Sequence, residues 1–213
     1  DNTAPQWTTA AGSLDRTLEC SDAVGIAQAL ALFPVAQDNC DSDVTDIVKV
    51  IGSFVAGGTC SQGGTYTNTW TVSDDCGNLS AVYTQTITIQ DNTAPQWTTA
   101  AGSLDRTLEC SDAAGIAQAL ALYPEATDNC DTDVTDIVKV TGSFVAGGTC
   151  TQEGTYTNTW TVTDDCGNIS AVYTQVITIQ DNTAPQWTTA AGDLNRTLEC
   201  SDAAGIAQAL ALY

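Results

Sequence analysis

The residues in this sequence with most chemistry to offer are nine cysteines and a surplus of carboxylates. The cysteines stand at 20, 40, 60 and 76, again at 110, 130, 150 and 166, and once more at 200. Regularly spaced thiols can form disulfides, hold a metal or act as nucleophiles. Thiolate zinc sites use close C-x2-C pairs, which this sequence lacks. It also has no histidine, which removes the usual general base and the Ser-His and Cys-His pairs. The pattern therefore reads as two disulfides per set of four cysteines, made in an oxidising compartment.

The carboxylates are clustered. There are 26 acidic residues against 5 basic ones, a net charge of −21. Such a field opposes nucleic acid and anionic membrane surfaces. Asp38, Asp41, Asp43 and Asp46 surround Cys40, and Asp74 and Asp75 precede Cys76. Their later counterparts, with the residues that enter from the preceding segment, are Asp91, Asn92, Asp128, Asp131, Asp133, Asp164 and Asp165. Two readings of this second set stand side by side. Ca2+ takes six to eight oxygen ligands, and the set could bridge a calcium ion at a junction. Alternatively, each Asp or Asn caps its own turn and stays solvated. EF-hand spacing is absent, and neither reading requires a cofactor other than Ca2+. The adjacent pair Asp74 and Asp75 is the only candidate for acid–base catalysis, and no cleft signal accompanies it. The expectation is that the protein is not an enzyme.

What positions these residues is a repeat. Residues 1–90, 91–180 and 181–213 are the same text, and the first two copies differ at 11 of 90 positions. The charge divides with them, −8, −10 and −3. The expected domains are 1–90, 91–180 and the start of a third, 181–213. Ending mid-unit, the sequence reads as a window on a longer array, with the partner of Cys200 outside it. Ninety residues is long for a solenoid repeat but suits an independent β-sandwich. The fold class expected is all-β, tandem Ig-like sandwiches as beads on a string.

Within a unit, Thr65–Val72 alternates Tyr66, Trp70 and Val72 against threonines. Ala81–Ile89, Asp46–Val55, Leu14–Cys20 and Gln6–Thr9 read as further strands. Ser21–Phe33 is rich in helix formers, can be capped by Ser21 or Asp22, and is stopped by Pro34. It reads as a short Ala-rich helix crossing one end of the sandwich, although Ile26, Leu30 and Leu32 also fit a strand. If Asp46–Val55 and Thr65–Val72 are antiparallel, Cys40 and Cys76 share one end and Cys60 lies at the other, within reach of Cys20. Of the three connectivities, this topology prefers Cys20–Cys60 and Cys40–Cys76, hence Cys110–Cys150 and Cys130–Cys166.

The linker Gln90–Pro95 is short and has no Gly-Ser tract. Pro95 and the extended Ala94 stiffen it, so a semi-rigid rod is expected. Trp7, Trp97 and Trp187 follow the prolines and pack either across the junction or into their own unit. No apolar run is long enough to cross a membrane.

The series Leu18-Glu19-Cys20, Asp38-Asn39-Cys40, Asn68-Thr69-Trp70-Thr71-Val72, Asp74-Asp75-Cys76-Gly77-Asn78 and Gln85 to Pro95 resembles HYR-like repeats. These are Ig-like or fibronectin-III-like modules found in tandem in very large Bacteroidota surface proteins exported by the type IX system. The Ala-rich segment Ala23–Leu32 departs from that family. The resemblance implies an extracellular, cell-surface structural repeat of an adhesin or filament, of the gliding-adhesion kind. Its partners would be identical repeats in the same chain and identical chains alongside, bundled into a fibre. The alternative is a glycan- or polymer-binding array.

Overall fold

The computed structural model describes residues 1–212, and the same elements recur with the 90-residue period. In the first unit these are β1 (Gln6–Trp7), β2 (Arg16–Glu19), α1 (Ala23–Leu30), β3 (Ala36–Gln37), β4 (Ile47–Val50), β5 (Val55–Gly57), β6 (Cys60–Val72) and β7 (Tyr83–Gln90). The second unit repeats them as β8 (Gln96–Trp97), β9 (Arg106–Glu109), α2 (Ala113–Leu120), β10 (Ala126–Thr127), β11 (Ile137–Val140), β12 (Val145–Gly147), β13 (Cys150–Val162) and β14 (Tyr173–Gln180). Residues 181–212 form only α3 (Ala203–Leu210). Arg196–Glu199, equivalent to β2, is not a strand, because nothing within 181–213 corresponds to its partner β7.

Each unit is a lopsided sandwich. The large sheet runs β2-β7-β6-β4, with β5 also on β6; the small one pairs β1 with β3. β6 and β7 are antiparallel, with Trp70 opposite Tyr83, and β2 joins β7 in parallel. The inner face of the large sheet carries Trp70, Val72, Tyr83, Ile87 and Ile89, all buried. Trp7 meets Tyr83, Tyr83 meets Trp70, and Trp70 meets Phe33, each edge to face. Trp7 thus packs in its own unit, where its indole N–H donates to Ala81 O.

Alternation also puts Asn68 and Gln85 on this inner face, fully buried, where sequence reading sees only apolar and aromatic positions. They satisfy one another. Asn68 Nδ2 donates to Gln85 Oε1, and Gln85 Nε2 donates to Leu14 O and Ala29 O. Buried amides matched this fully fix the position of α1 over the sheet.

Two expectations need correcting. The helix forms, capped by Asp22 Oδ1 accepting from Gly25 N, but it does not cross an end. Ala29 packs with Ile87 and Ile89, supported by Ile26 and Leu30, so α1 belongs to the second layer. The strand expected over Asp46–Val55 is two strands, β4 and β5. A side chain at Gly52 would place Cβ 2.1 Å from Thr67 O, and the Gly52 amide donates to Asn68 instead of continuing the ladder. Of the 11 positions that differ between units, only Gly63 is buried and Thr86 half-buried in the first unit; the rest are exposed.

Candidate functional site

Strand direction sorts the cysteines to the two ends of a unit. Cys60 opens β6, and Cys20 follows β2, its amide donating to Gln90 O at the start of the linker. Both lie at the trailing end. Cys40 and Cys76 line one cavity at the leading end, with Asp1, Asp41, Asp74 and Asp75. The linker brings the trailing end of the first unit against the leading end of the second, and bonds form across that interface. Cys20 is joined to Cys130, with Cα atoms 5.9 Å apart, and Cys60 to Cys166, 4.3 Å apart.

The pairs expected from topology, Cys20–Cys60, Cys40–Cys76, Cys110–Cys150 and Cys130–Cys166, are therefore corrected. Each end carries two cysteines, and the four that are bonded, Cys20, Cys60, Cys130 and Cys166, find their partners on the facing end of the neighbouring unit. Cys40, Cys76, Cys110, Cys150 and Cys200 are unpaired among the described residues. Burial, with the charges of Asp181 and Glu109, pushes the Cys110 thiol up.

The acidic set divides at this junction. Asp131 and Asp133 serve turns: Asp131 Oδ1 accepts from Asp133 N, Asp131 Oδ2 from the Asp165 backbone N–H, and Asp133 Oδ1 from Thr135 Oγ1. The Asn92 amide donates to Glu19 Oε1. Asp91, Asp128 and Asp164 instead converge. Asp91 is 6% exposed; its Oδ1 accepts from Thr93 N, while its Oδ2 is buried with no partner. Asp128 Oδ1 accepts from Cys130 N and Asp131 N, and its Oδ2 is likewise buried and unpartnered. Asp164 takes the Cys166 and Asn168 amides and the Asn168 side chain. Burial, then the charges of Asp128, Asp164 and Glu19, hold the Asp91 carboxyl above its usual range. Glu19 is the member that sequence reading missed, although it stands next to Cys20 in every unit. Two further bonds cross the junction, from Asn129 Nδ2 to Ser21 Oγ and from Thr93 Oγ1 to Glu19 Oε1.

Residues 8–89 and 98–179 each match the family described as "HYR-like domain with 4 cysteines". The chain belongs to this family. Both HYR-like units contribute their four cysteines at matching positions, 20, 40, 60 and 76 and their counterparts. No curated protein matches the chain. Among solved structures, similar chains include Drosophila N-cadherin EC1-3 at 14% identity, covering 84% of this chain and 68% of that one, with a TM-score of 0.27. PcdhgB3 EC1-4 is 15% identical, covering 86% and 51%, at 0.30. The Clostridium thermocellum CbhA fibronectin(III)-like modules are 11% identical, covering 87% and 99%, at 0.25. These superpositions are loose, and the β-sandwich assignment rests on the strands of the HYR-like units themselves. Among the described residues no helix is long and apolar enough to cross a membrane.

Proposed function

We propose that this chain is a structural segment of a long extracellular rod, an adhesin stalk or surface filament that attaches a bacterial cell to surfaces, other cells or prey. The observation that carries the reading is the pair of disulfides across the junction. Neighbouring units tied at two points hold one relative orientation, which suits a spacer, and the bonds require an oxidising compartment. Tandem near-identical units set length and valency rather than chemistry. The Asp74 carboxylate, held below its usual range first by the Asn78 side chain, acts as a turn cap. The glycan-array alternative has a smaller platform than the aromatic count suggests, since Trp70 and Tyr83 are buried and Trp7 packs against Tyr83, which leaves Phe33 and Tyr123 among the exposed rings. Lateral bundling of identical chains would thicken the rod into a fibre. Antibodies against the chain should label intact cells of the source organism along filaments or stalks; labelling only after lysis would overturn the reading.

A further inference from the structure

We propose that β6 and β13 are load-bearing straps, and that an array stapled in this way cannot be lengthened by unfolding. The purpose of such a device rests on the rod reading; its geometry does not. Cys60 opens β6, and Cys76 lies four residues past the end of that strand at Val72. The same holds for Cys150, β13 and Cys166. One strand therefore runs from the trailing to the leading end of each unit with a cysteine at either limit. Cys60 is bonded to Cys166, so tension leaving the first unit passes through sulfur into the second. In an array where Cys150 bonds the following unit as Cys60 bonds this one, that tension would run along β13 from Cys166 to Cys150. That strand is already extended. Its 13 residues span about 43 Å, and the 16 residue steps from Cys150 to Cys166 reach only about 55 Å when stretched. A 90-residue unit without the staples would pull out to about 300 Å. Hydrogen bonds from β14 on one side and from β11 and β12 on the other hold the strap in register. Cys20–Cys130 adds a second, slacker connection in parallel.

The test is single-molecule stretching of the oxidised 213-residue chain held by its termini. Cys20–Cys130 removes residues 21–129 from the load path, so full unfolding should end near 350 Å rather than about 720 Å. Reductant should restore the longer length. The double variant Cys20→Ser/Cys60→Ser should show it without reductant. Either single variant should stay short, near 350–370 Å, because the remaining bridge holds. An oxidised limit near 460 Å, the value for bonds within units, or near 720 Å would overturn the proposal. Either result leaves the surface-labelling test of the rod reading untouched.

A different observation carries a second proposal. We infer that the junction binds a divalent cation of the calcium class between Asp91, Asp128 and Asp164, with Glu19 beside them. Asp91 Oδ2 and Asp128 Oδ2 are buried without a donor, an arrangement that a carboxylate tolerates poorly unless a cation supplies the missing partner. At the junction the oxygens of Asp91 and Asp164 lie within 4.8 Å of one another, with Asp128 near enough for its charge to act on Asp91. The leading end of the first unit carries the equivalent three positions more tightly. Oxygens of Asp1, Asp38 and Asp74 lie within 4.8 Å of one another, and Asp38 Oδ2 is again buried and unpartnered. Asp1 is exposed, whereas Asp91 is enclosed at the junction with the first unit. The sulfurs nearest Asp91, those of Cys20, Cys130 and Cys166, are held in disulfides, so the donors are hard oxygens, which favour calcium over zinc.

Calcium chloride titrated into the chelator-stripped, oxidised chain should release or absorb heat with a saturable site and raise the melting temperature. Asp91→Asn should abolish the tightest site, while Asp165→Asn, whose side chain accepts no bond at the junction, should retain it. Absence of both heat and thermal shift, or an unchanged isotherm in Asp91→Asn, would overturn the assignment.

Discussion

Asp91 is a linker residue in the sequence and an interior residue in the fold, and its titration should report the junction directly. Its carboxyl is held above the usual range by burial and by neighbouring acids. Because the folded-state value is raised, the stability linked to this group is present below its unfolded value, near 3.9, and is lost as pH rises through the folded one. In chelator the protein should therefore lose melting temperature from this site as pH rises above about 4. Asp91→Asn should remove that component and melt higher than the parent at pH 7, measured by thermal scans across pH. Calcium, by keeping Asp91 ionised, should flatten the same profile in the parent alone. At this scale the sequence was only half legible. Proximity to cysteines marked the acidic cluster, yet turn-capping and convergent carboxylates carry the same letters. Which of them lose water depends on a unit 90 residues away. Glu19 stayed hidden because an acid alternating along a strand reads as solvated.

At the scale of elements, the central strand shows what periodicity reveals and what it leaves open. Alternation from Tyr66 to Val72 identifies β6 and its inner face, but it does not distinguish Asn68 from a surface asparagine. Asn68 is buried because Gln85 lies opposite it in the register of β6 with β7. The break between β4 and β5 has a comparable cause, a backbone approach that only glycine permits. Gly52→Ala should cost about 2 kcal/mol or more, since the added carbon would meet the Thr67 carbonyl. Gly57→Ala, whose Cβ would sit 3.6 Å from the nearest atom, should be close to neutral. Denaturant unfolding of the two variants checks the difference. The helix was legible through Asp22, its run of helix formers and Pro34; its place in the second layer was not, because that depends on Ala29 meeting Ile87 and Ile89.

For the whole molecule, the disulfides make adjacent units one cooperative body. Each closes a loop of more than 100 residues, at sequence separations of 110 and 106. On the chain-entropy account, a loop of that size stabilises by up to about 5 kcal/mol, with strain reducing the realised value. Reduction should lower the melting temperature and split one calorimetric transition into two closely spaced ones, one per unit. A single unchanged transition after reduction would show that the junction adds no coupling. The amino-acid sequence by itself determined the unit, its strands, its acidity and the sorting of cysteines to opposite ends, because local periodicity and tandem identity need no knowledge of neighbours. Only the tertiary structure decided which cysteine meets which. By sequence separation a thiol at the end of one unit is much nearer to a partner on its own unit, 40 residues from Cys20 to Cys60, than to the one it takes on the next, 110 residues away. The choice is made by the short linker, which presses two ends together and buries Asp91 between them.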